Sequence, residues 1–494
     1  MSGQLPVHRL YIGGEWIAPA AGETFPTFNP FDQQPWAMVS QAGAEDVARA
    51  VAVARETFEK TWSKTSGLER ATLMHRLADL LERDADRMGT LESTDNGKIV
   101  RETRSQMKFV ARTFRFFAGY ADKLYGKVIP LDRRDVFDYA TLEPLGVIGL
   151  ITAWNSPIAL LGNKLPAALA AGNTVVVKPS EHASVTTLEF ARLVEEAGFP
   201  AGVFNVVTGD ARTGQALVQG GGLDKISFTG SGVGGRAIAA AAGQNLTPVV
   251  LELGGKSPNI IFADADIGKA TTGALAGIFA ATGQTCIAGS RALIHRPIHD
   301  QFVEKLLDLA KTARMGNPLE MTTQVGPVTT QPQYQKVLDY IRIAKDEGAV
   351  CRLGGSPATR PECGTGWFVE PTIFTGVDPK MRIANEEVFG PVLSVIPFDD
   401  EEEAIRIANG TVYGLAAGVW TKSIRRALTM SERLEAGTVW VNTYRAVSYM
   451  SPFGGYKRSG IGRESGIDAI REYLQTKSVW IDIAGNAPNP FVLR

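Results

Sequence analysis

The chain has 494 residues, of which 44% are hydrophobic and 21% charged, and its formal net charge is −1. This composition is typical of a soluble globular protein with about three domains. Because there is no basic excess, nucleic acids and membrane surfaces are not expected as partners.

The N-terminal stretch MSGQLPVHRLYIGGEW lacks the apolar core of a signal peptide, and the apolar stretches elsewhere are too short to span a bilayer. Three cysteines are too few for a disulfide framework in a chain of this length. These features predict a cytoplasmic protein. The histidines show no HExxH spacing and the cysteines no CxxC pair, so no metal site is expected.

The first half of the chain contains both strand-like and helix-like sequence patterns. RLYIGGEW and PTFNPFD predict short strands and turns, and Ala44 to about Ala121 has apolar residues at helical spacing. Short β-branched runs follow, with helical stretches between most of them, which predicts βαβ units and a parallel sheet. These runs are 147–154, 173–180, 204–209, 225–230 and 258–264.

A second alternating region follows Cys286. It contains predicted helices near 299–314, 401–409 and 423–435, and predicted strands near 350, near 392 and at 438–442. The tail KSVWIDI (477–483) predicts a strand with no nearby partner in the sequence. A terminal strand of this kind often joins a sheet formed elsewhere, sometimes in another subunit.

A glycine motif, GSGVGG, occupies residues 230–235 and matches GxGxxG through Gly230, Gly232 and Gly235. It follows a predicted strand and precedes a helix, a context typical of a phosphate site at a helix N-terminus. A tight strand-to-helix turn is the alternative. The standard fingerprint places a ribose-binding acid about 20 residues later, and Glu252 falls there.

Three other short motifs carry polar groups after apolar runs. In KPSE (178–181), Glu181 could bind ribose hydroxyls and would repel a 2′-phosphate, although a solvated loop is equally compatible. In LELGGKSP, Glu252 lies between leucines, which predicts a raised pKa suited to a general base; a salt-bridged structural glutamate is the alternative. In WNSP, Asn155 could donate to an oxyanion or cap the following helix.

Two more motifs complete the set. Cys286 in GQTCIAGSR lies among small and polar residues, a setting that favours a nucleophile over a packing cysteine. In EEVFGP, Glu387 could bind ribose hydroxyls and Phe389 could lie against a flat ring, although an ordinary turn also fits the pattern.

Taken in this order, the motifs resemble those of the aldehyde dehydrogenase superfamily from about Leu10 to Val479. They are WNSP, KLPAALAAGNTVVVKPSE, GFPAGVFNVVTG, FTGS, LELGGKSP, GQTCIAGSR, EEVFGPV, YGLAAGVWT and SPFGGYKRSGIGRE. The resemblance implies an α/β fold in three parts. These are a Rossmann-like dinucleotide-binding domain (1–123 and 145–253), an α/β catalytic domain (254–470) and a small β-flap for oligomerisation (124–144 and 471–494).

The resemblance also implies roles for single residues. Cys286 corresponds to the catalytic thiol, Asn155 to the oxyanion donor and Glu252 to the general base, which replaces the interpretation of Glu252 as a ribose ligand. The cofactor contacts that it implies are Ile151, Trp154, Lys178, Ser180, Glu181, Gly230, Ser231, Leu253, Glu387 and Phe389.

The implied reaction is oxidation of an aldehyde to the acid through a thiohemiacetal and a thioester on Cys286, with Glu252 activating the hydrolytic water. NAD is the preferred cofactor because of Glu181, with NADP possible, and the expected assembly is a homodimer or homotetramer. A thiol esterase or acyl-transfer enzyme without redox chemistry is the alternative.

The substrate tunnel implied by the resemblance includes Ser156, Ala159, Asn163, Arg445 and Phe453. At Ser156, Ala159 and Asn163, small or polar residues stand where many relatives have bulky apolar ones. We therefore expect a bulky or polar aldehyde, with Arg445 facing a carboxylate or hydroxyl. The alternative is that Arg445 pairs with a nearby acid.

Overall fold

The structure is a computed structural model that describes residues 5–483, 485 and 491. Residues 1–4 of the predicted dinucleotide-binding domain, and the residues of the predicted flap beyond 483 other than 485 and 491, lie outside the described residues. The α-helices are α1 (Ala44–Lys60), α2 (Gly67–Arg83), α3 (Ala85–Asn96), α4 (Val100–Ala118), α5 (Pro157–Ala171), α6 (Val185–Ala197), α7 (Ala211–Gln219), α8 (Gly232–Gln244), α9 (Ile267–Phe279), α10 (His299–Ala310), α11 (Gln331–Asp346), α12 (Arg382–Asn385), α13 (Glu401–Asn409) and α14 (Ile424–Arg433).

The strands form five sheets, of which three are central to the fold. They are β1 (Val7–His8), β2 (Leu10–Ile12), β3 (Glu15–Ile17), β4 (Thr24–Phe28), β5 (Pro35–Ser40), β6 (Lys127–Ile129), β7 (Val136–Pro144), β8 (Val147–Thr152), β9 (Thr174–Pro179), β10 (Phe204–Val206), β11 (Lys225–Thr229), β12 (Val249–Glu252), β13 (Pro258–Ile261), β14 (Arg291–His295), β15 (Val350–Leu353), β16 (Thr372–Thr375), β17 (Val392–Phe398), β18 (Tyr413–Gly414), β19 (Ala416–Trp420), β20 (Thr438–Val441), β21 (Tyr456–Lys457), β22 (Gly460–Ile461) and β23 (Leu474–Asp482).

The first large sheet has eight strands in the order β22-β12-β11-β8-β9-β10-β2-β3, with a parallel centre and antiparallel edges. Its central strands are buried on both faces. Ile148 and Val175 point into one apolar core, and Val147 and Val176 into the other. Such double burial explains why these strands are continuous apolar runs in the sequence.

The second large sheet has seven strands in the order β15-β16-β17-β14-β13-β19-β20, parallel except for the edge strand β15. It too separates two apolar cores. Together the two sheets confirm the predicted α/β fold with a Rossmann-like part and a second α/β part. Strand β19 (AAGVW) was not predicted, because alanine and glycine have weak strand propensity.

The third sheet is antiparallel, with the order β23-β7-β6. The tail strand joins a sheet formed elsewhere, as expected, and the partner that the structure shows lies in the same chain. Pairing across a subunit interface stays a prediction. Strand β23 pairs along its whole length with β7, from Leu474 opposite Pro144 to Asp482 opposite Val136. The two strands lie over 300 residues apart in the chain, so no local pattern could reveal the pairing. No strand among the described residues pairs with the other edge of β23.

One helix connects the fold directly to the site. Helix α5 is buried over most of its length, starts with Pro157 in its first turn and ends at Gly172, whose φ of 96° requires the freedom of glycine. It begins immediately after Asn155 and Ser156. Packing against strand β8 and helix α4 fixes the position of this helix start.

Across residues 5–483, no helix is long and apolar enough to cross a membrane. Within the same described part, no group of three or more histidine, cysteine, aspartate or glutamate side chains is arranged to hold a metal ion.

Candidate active site

A cavity of about 580 Å³ opens at the carboxyl ends of the central strands of the eight-stranded sheet. In open parallel sheets this edge is where ligands bind. All of the predicted catalytic and cofactor residues line it. They are Ile151, Trp154, Asn155, Lys178, Ser180, Glu181, Gly230, Ser231, Glu252, Leu253, Cys286, Glu387 and Phe389.

The segment before Cys286 has an unusual backbone. Ala281, Thr282 and Gly283 all have positive φ angles, of 52°, 55° and 71°. For non-glycine residues such angles cost roughly 1–3 kcal/mol each, and they cluster at functional sites. A Cβ added at Gly283 would lie 2.0 Å from the Gly390 carbonyl oxygen, so glycine is required there by backbone packing. This turn presents the half-buried Cys286 to the cavity.

The electrostatic surroundings of Cys286 disfavour its thiolate. Burial, followed by the carboxylates of Glu387 and Glu252, raises the pKa of the thiol to about 12. The backbone N–H groups of Ile287 and Cys286 itself act in the opposite direction. The thiol is therefore protonated at neutral pH, and its reaction needs a base or a nearby positive charge.

Asn155 faces the cysteine segment. Its Nδ2 donates a hydrogen bond of 2.9 Å to the backbone carbonyl of Gln284, two residues before Cys286. The N-cap residue of α5 is Ser156, so Asn155 does not cap the helix. The amide therefore lies where it can donate to an oxygen bound near Cys286.

Glu252 lies at the end of β12 and is 4% exposed, and neither of its carboxylate oxygens has a hydrogen-bond partner among the residues that the structure describes. Burial, with repulsion from Glu464, raises its pKa well above the usual value, and Lys164 and Arg463 only partly oppose this. The raised pKa agrees with the expectation from the flanking leucines. A salt-bridged structural role does not fit, because no cation lies within ion-pair distance of this carboxylate among the described residues.

Two residues beside Glu252 were missed by sequence reasoning. Lys164 and Glu464 form a fully buried ion pair, and Lys164 Nζ also donates to Ser227 Oγ at 3.1 Å. Lys164 lies in KLPAALAAG and Glu464 in SPFGGYKRSGIGRE, two of the motifs that carry the family resemblance. Their pairing left no signal because they are 300 residues apart.

Lys178 and Glu181 also line the cavity. Lys178 Nζ lies 3.5 Å from a Glu181 carboxylate oxygen, and burial lowers the lysine pKa despite that carboxylate. Glu181 is about one-third exposed, so its oxygens can accept from a ligand.

The glycine motif combines a turn with a helix start. Ser231 caps α8, its Oγ accepting from the Gly234 N–H at 3.1 Å. A Cβ on Gly230 would lie 2.3 Å from the Phe228 ring. This glycine therefore makes room for an aromatic side chain of the protein, and the close approach does not by itself indicate a nucleotide. The N-terminus of α8 still faces the cavity through Ser231.

Glu387 and Phe389 border the cavity beside Cys286. Glu387 Oε1 accepts from the Gly255 N–H at 3.1 Å. Phe389 has a φ of 59° and meets the Trp154 ring edge-on, with the ring centroids 5.4 Å apart. Gln333 on α11, missed from the sequence, holds this turn by donating to the carbonyls of Val388 and Phe389 at 2.8 and 2.9 Å.

None of the predicted tunnel residues lines this cavity. Ser156, Ala159 and Asn163 lie on the first turns of α5 or just before it, and Phe453 pairs by backbone hydrogen bonds with Glu464. Arg445 has a φ of 60°, and its Nη1 donates to the Ala276 carbonyl at 3.3 Å.

Comparison with known proteins identifies the class. The family model "Aldehyde dehydrogenase family" matches residues 16–479. The chain is 43% identical to a betaine aldehyde dehydrogenase of Bacillus subtilis over 98% of this chain and 99% of the relative. It superposes with a TM-score of 0.96 on a betaine aldehyde dehydrogenase from Staphylococcus aureus solved with NAD+ (39% identity, 98% and 96% covered). It also superposes, with a TM-score of 0.94, on an NAD+ complex of an aldehyde dehydrogenase from Bacillus cereus (42% identity, 96% of each chain covered).

The chain belongs to the aldehyde dehydrogenase family. The resemblance inferred from the sequence is thereby confirmed, and with it the class of activity, oxidation of an aldehyde.

Proposed function

We propose that this protein oxidises an aldehyde to its carboxylic acid with NAD, through a covalent intermediate on Cys286. The observation that carries the proposal is the convergence of Cys286, Asn155 and Glu252 on one cavity that Lys178 and Glu181 also line. A nucleophile, an amide donor and a carboxylate of raised pKa are the groups that acyl chemistry requires.

The cavity fits a dinucleotide. Its volume of about 580 Å³ suits an extended ligand. The N-terminus of α8 at Ser231 would hold the pyrophosphate, Lys178 and Glu181 the adenosine ribose, and Glu387 the second ribose. Phe389 and Trp154, which line the same cavity, would contact the nicotinamide. When bound, NAD supplies the hydride acceptor.

The residues of the chain then have separate tasks. The Cys286 thiol gives up its proton to solvent, its sulfur attacks the aldehyde carbon, and the Asn155 amide donates to the oxygen that becomes negative. After loss of the hydride, a thioester joins Cys286 to the substrate. Glu252 takes a proton from water, the hydroxyl adds to the thioester carbon, and the Cys286 sulfur leaves as the acid forms.

The proposal is tested by incubating the protein with NAD and a panel of aldehydes and following NADH by absorbance and the acid by chromatography. Equal amounts of NADH and acid are expected. Ester hydrolysis of normal rate without NAD, together with no NADH from any aldehyde, would favour the thiol esterase instead.

The proposed preference for NAD over NADP rests on Glu181. Its carboxylate would repel a 2′-phosphate on the ribose. In the Glu181→Gln variant we expect the ratio of kcat/KM for NADP to that for NAD to rise about tenfold, equivalent to ~1.4 kcal/mol. Glu59→Gln, a substitution of an exposed glutamate on α1, is the control. An unchanged ratio would show that Glu181 does not select the cofactor.

The proposed substrate is a bulky or polar aldehyde, because Arg445 carries no ion pair in the part of the chain that the structure describes. Its Nη1 donates to the Ala276 backbone carbonyl, an uncharged acceptor, so its charge can serve a substrate. With Arg445→Ala we expect kcat/KM for carboxylate-bearing aldehydes to fall about tenfold more than for neutral ones. Equal losses for both classes would exclude a substrate contact.

We also propose a homodimer or homotetramer that uses the β23-β7-β6 sheet, and we keep the three-domain division given above. The apolar side chains of Trp480, Ile481 and Ile483 are exposed on or beside β23 and could be covered by a second subunit. A monomer by light scattering would refute this assembly. A cytoplasmic location, consistent with three free cysteines, is testable by cell fractionation.

A further inference from the structure

Lys98 is a buried cation next to the site that the reaction scheme does not use. It lies between α3 and α4 and is 7% exposed. Its Nζ donates to Ser156 Oγ and, at 3.3 Å, to Gln106 Oε1. Both acceptors are neutral, and no carboxylate of the described residues lies within 4.0 Å of the ammonium.

Hydrogen bonds connect this lysine to the oxyanion donor. Ser156 Oγ donates to the Asn155 carbonyl at 2.7 Å, and the Asn155 side chain donates to the Gln284 carbonyl at 2.9 Å. Asn96, two residues before Lys98, donates from Nδ2 to the Trp154 carbonyl at 3.3 Å. The segment 96–98 therefore holds the backbone at which β8 passes into α5.

The charges around Lys98 also include the reactive cysteine. Burial lowers the pKa of Lys98, Glu102 and Glu92 raise it, Arg445 lowers it, and Cys286 raises it. Electrostatic coupling is mutual, so the Lys98 cation favours the negative form of Cys286. This effect opposes Glu252 and Glu387, the carboxylates that disfavour the thiolate.

We infer that Lys98 is a positioning residue for the reaction at Cys286: its ammonium holds Ser156, and through it Asn155, and it provides positive charge for the attacking sulfur. The inference rests on the proposed roles of Cys286 and Asn155. A surface lysine keeps its ammonium in water, whereas that of Lys98 is buried against Ser156, the residue that follows Asn155.

The test compares Lys98→Met, which removes the charge, with Lys98→Arg, which keeps it. Lys108→Met, an exposed lysine on α4, is the matched control. The first measurement is the rate of Cys286 alkylation by iodoacetamide between pH 7 and 10 without NAD or aldehyde, with the modified peptide quantified by mass spectrometry.

We expect alkylation of Cys286 at pH 8 to slow about fivefold in Lys98→Met, because the thiolate fraction falls, and to recover largely in Lys98→Arg. In turnover, kcat should fall about tenfold with KM changed less than about twofold, since the lost interaction acts on the developing charge. An alkylation rate and a kcat within twofold of the control variant would overturn the inference.

If Lys98→Met is not recovered folded, Ser156→Ala carries the test, because it removes the hydroxyl between Lys98 and Asn155. A fall in kcat at constant KM supports the inference, and an unchanged kcat refutes it. A wild-type protein that oxidises no aldehyde would contradict the proposed function alone, since the alkylation assay reads the coupling of Lys98 to Cys286 without turnover.

Discussion

The Cys286→Ala variant is expected to lose aldehyde oxidation, with kcat lowered at least about a thousandfold. Without the sulfur no thiohemiacetal or thioester forms, and the remaining donors can only bind substrate. Affinity for NAD, measured by titration calorimetry, should stay within about threefold, because Cys286 is one of many residues lining the cavity.

The control for this variant is Cys351→Ala. Cys351 is half-buried in strand β15, where its Sγ lies 3.3 Å from the Leu353 carbonyl, and it does not line the cavity. Full activity is expected from it. Residual turnover of Cys286→Ala above a few per cent of wild type would mean that the oxidation proceeds without a covalent intermediate.

Glu252→Gln is expected to separate the two halves of the reaction. Acylation of Cys286 should still release a stoichiometric burst of NADH, whereas steady-state turnover should slow by roughly 10²–10⁴-fold because no carboxylate activates the water. Rapid mixing with NAD and an aldehyde measures both phases. A variant with neither burst nor turnover would place Glu252 in the first half instead.

The pH dependence of hydrolysis has a definite sign. Only the deprotonated Glu252 accepts a proton from water, and burial raises the pKa of this carboxyl well above its usual value. The steady-state rate of the wild type should therefore rise with pH through that raised pKa, and the residual rate of Glu252→Gln should lack this rise. A parallel rise in both proteins would assign the titration to another group.

The same substitution should increase stability. A carboxyl whose pKa is raised in the folded state binds its proton more tightly there than when unfolded. Its contribution is thus favourable at low pH and is lost as pH rises from the unfolded pKa through the folded one. Once the pH exceeds the raised pKa, the buried Glu252 carboxylate, which has no hydrogen-bond partner among the described residues, destabilises the fold. The uncharged amide of Glu252→Gln does not carry the free-energy cost of a buried charge. Above the raised pKa of Glu252, thermal unfolding of the variant should therefore show a higher Tm than that of the wild type.

The local patterns in the sequence were enough to predict much of the fold. Runs such as TVVVKP are apolar on both faces and therefore predict central parallel strands, and the residues that follow such strands meet at one sheet edge. This physical rule explains why Asn155, Lys178 and Glu252 converge on the cavity. The family motifs added Glu387 and Phe389, which lie far along the chain.

Contacts between distant segments could not be predicted in this way. The pair Lys164 and Glu464, and the pairing of β23 with β7, each join residues at least 300 positions apart. Nothing in KLPAALAAG indicates that its lysine is buried against a glutamate, since a lysine in an apolar helix more often extends to solvent. The role of Gly230 was also ambiguous from the sequence. The Phe228 ring takes the space that a Cβ at Gly230 would need, and the direction of that ring is not visible in the strand sequence KISFT.

Strand β22 pairs with β12, and Gly460 lies opposite Glu252 in this pairing. The other seven strands of the eight-stranded sheet all end by residue 252. During synthesis, the amino-terminal half can form most of its sheet while the surroundings of Glu252 are still missing. Its neighbours Arg463 and Glu464 emerge from the ribosome only near the end of translation. The surroundings that set the proton affinity of Glu252 are therefore completed last, and a prematurely terminated chain would lack the full setting of the group that activates the hydrolytic water.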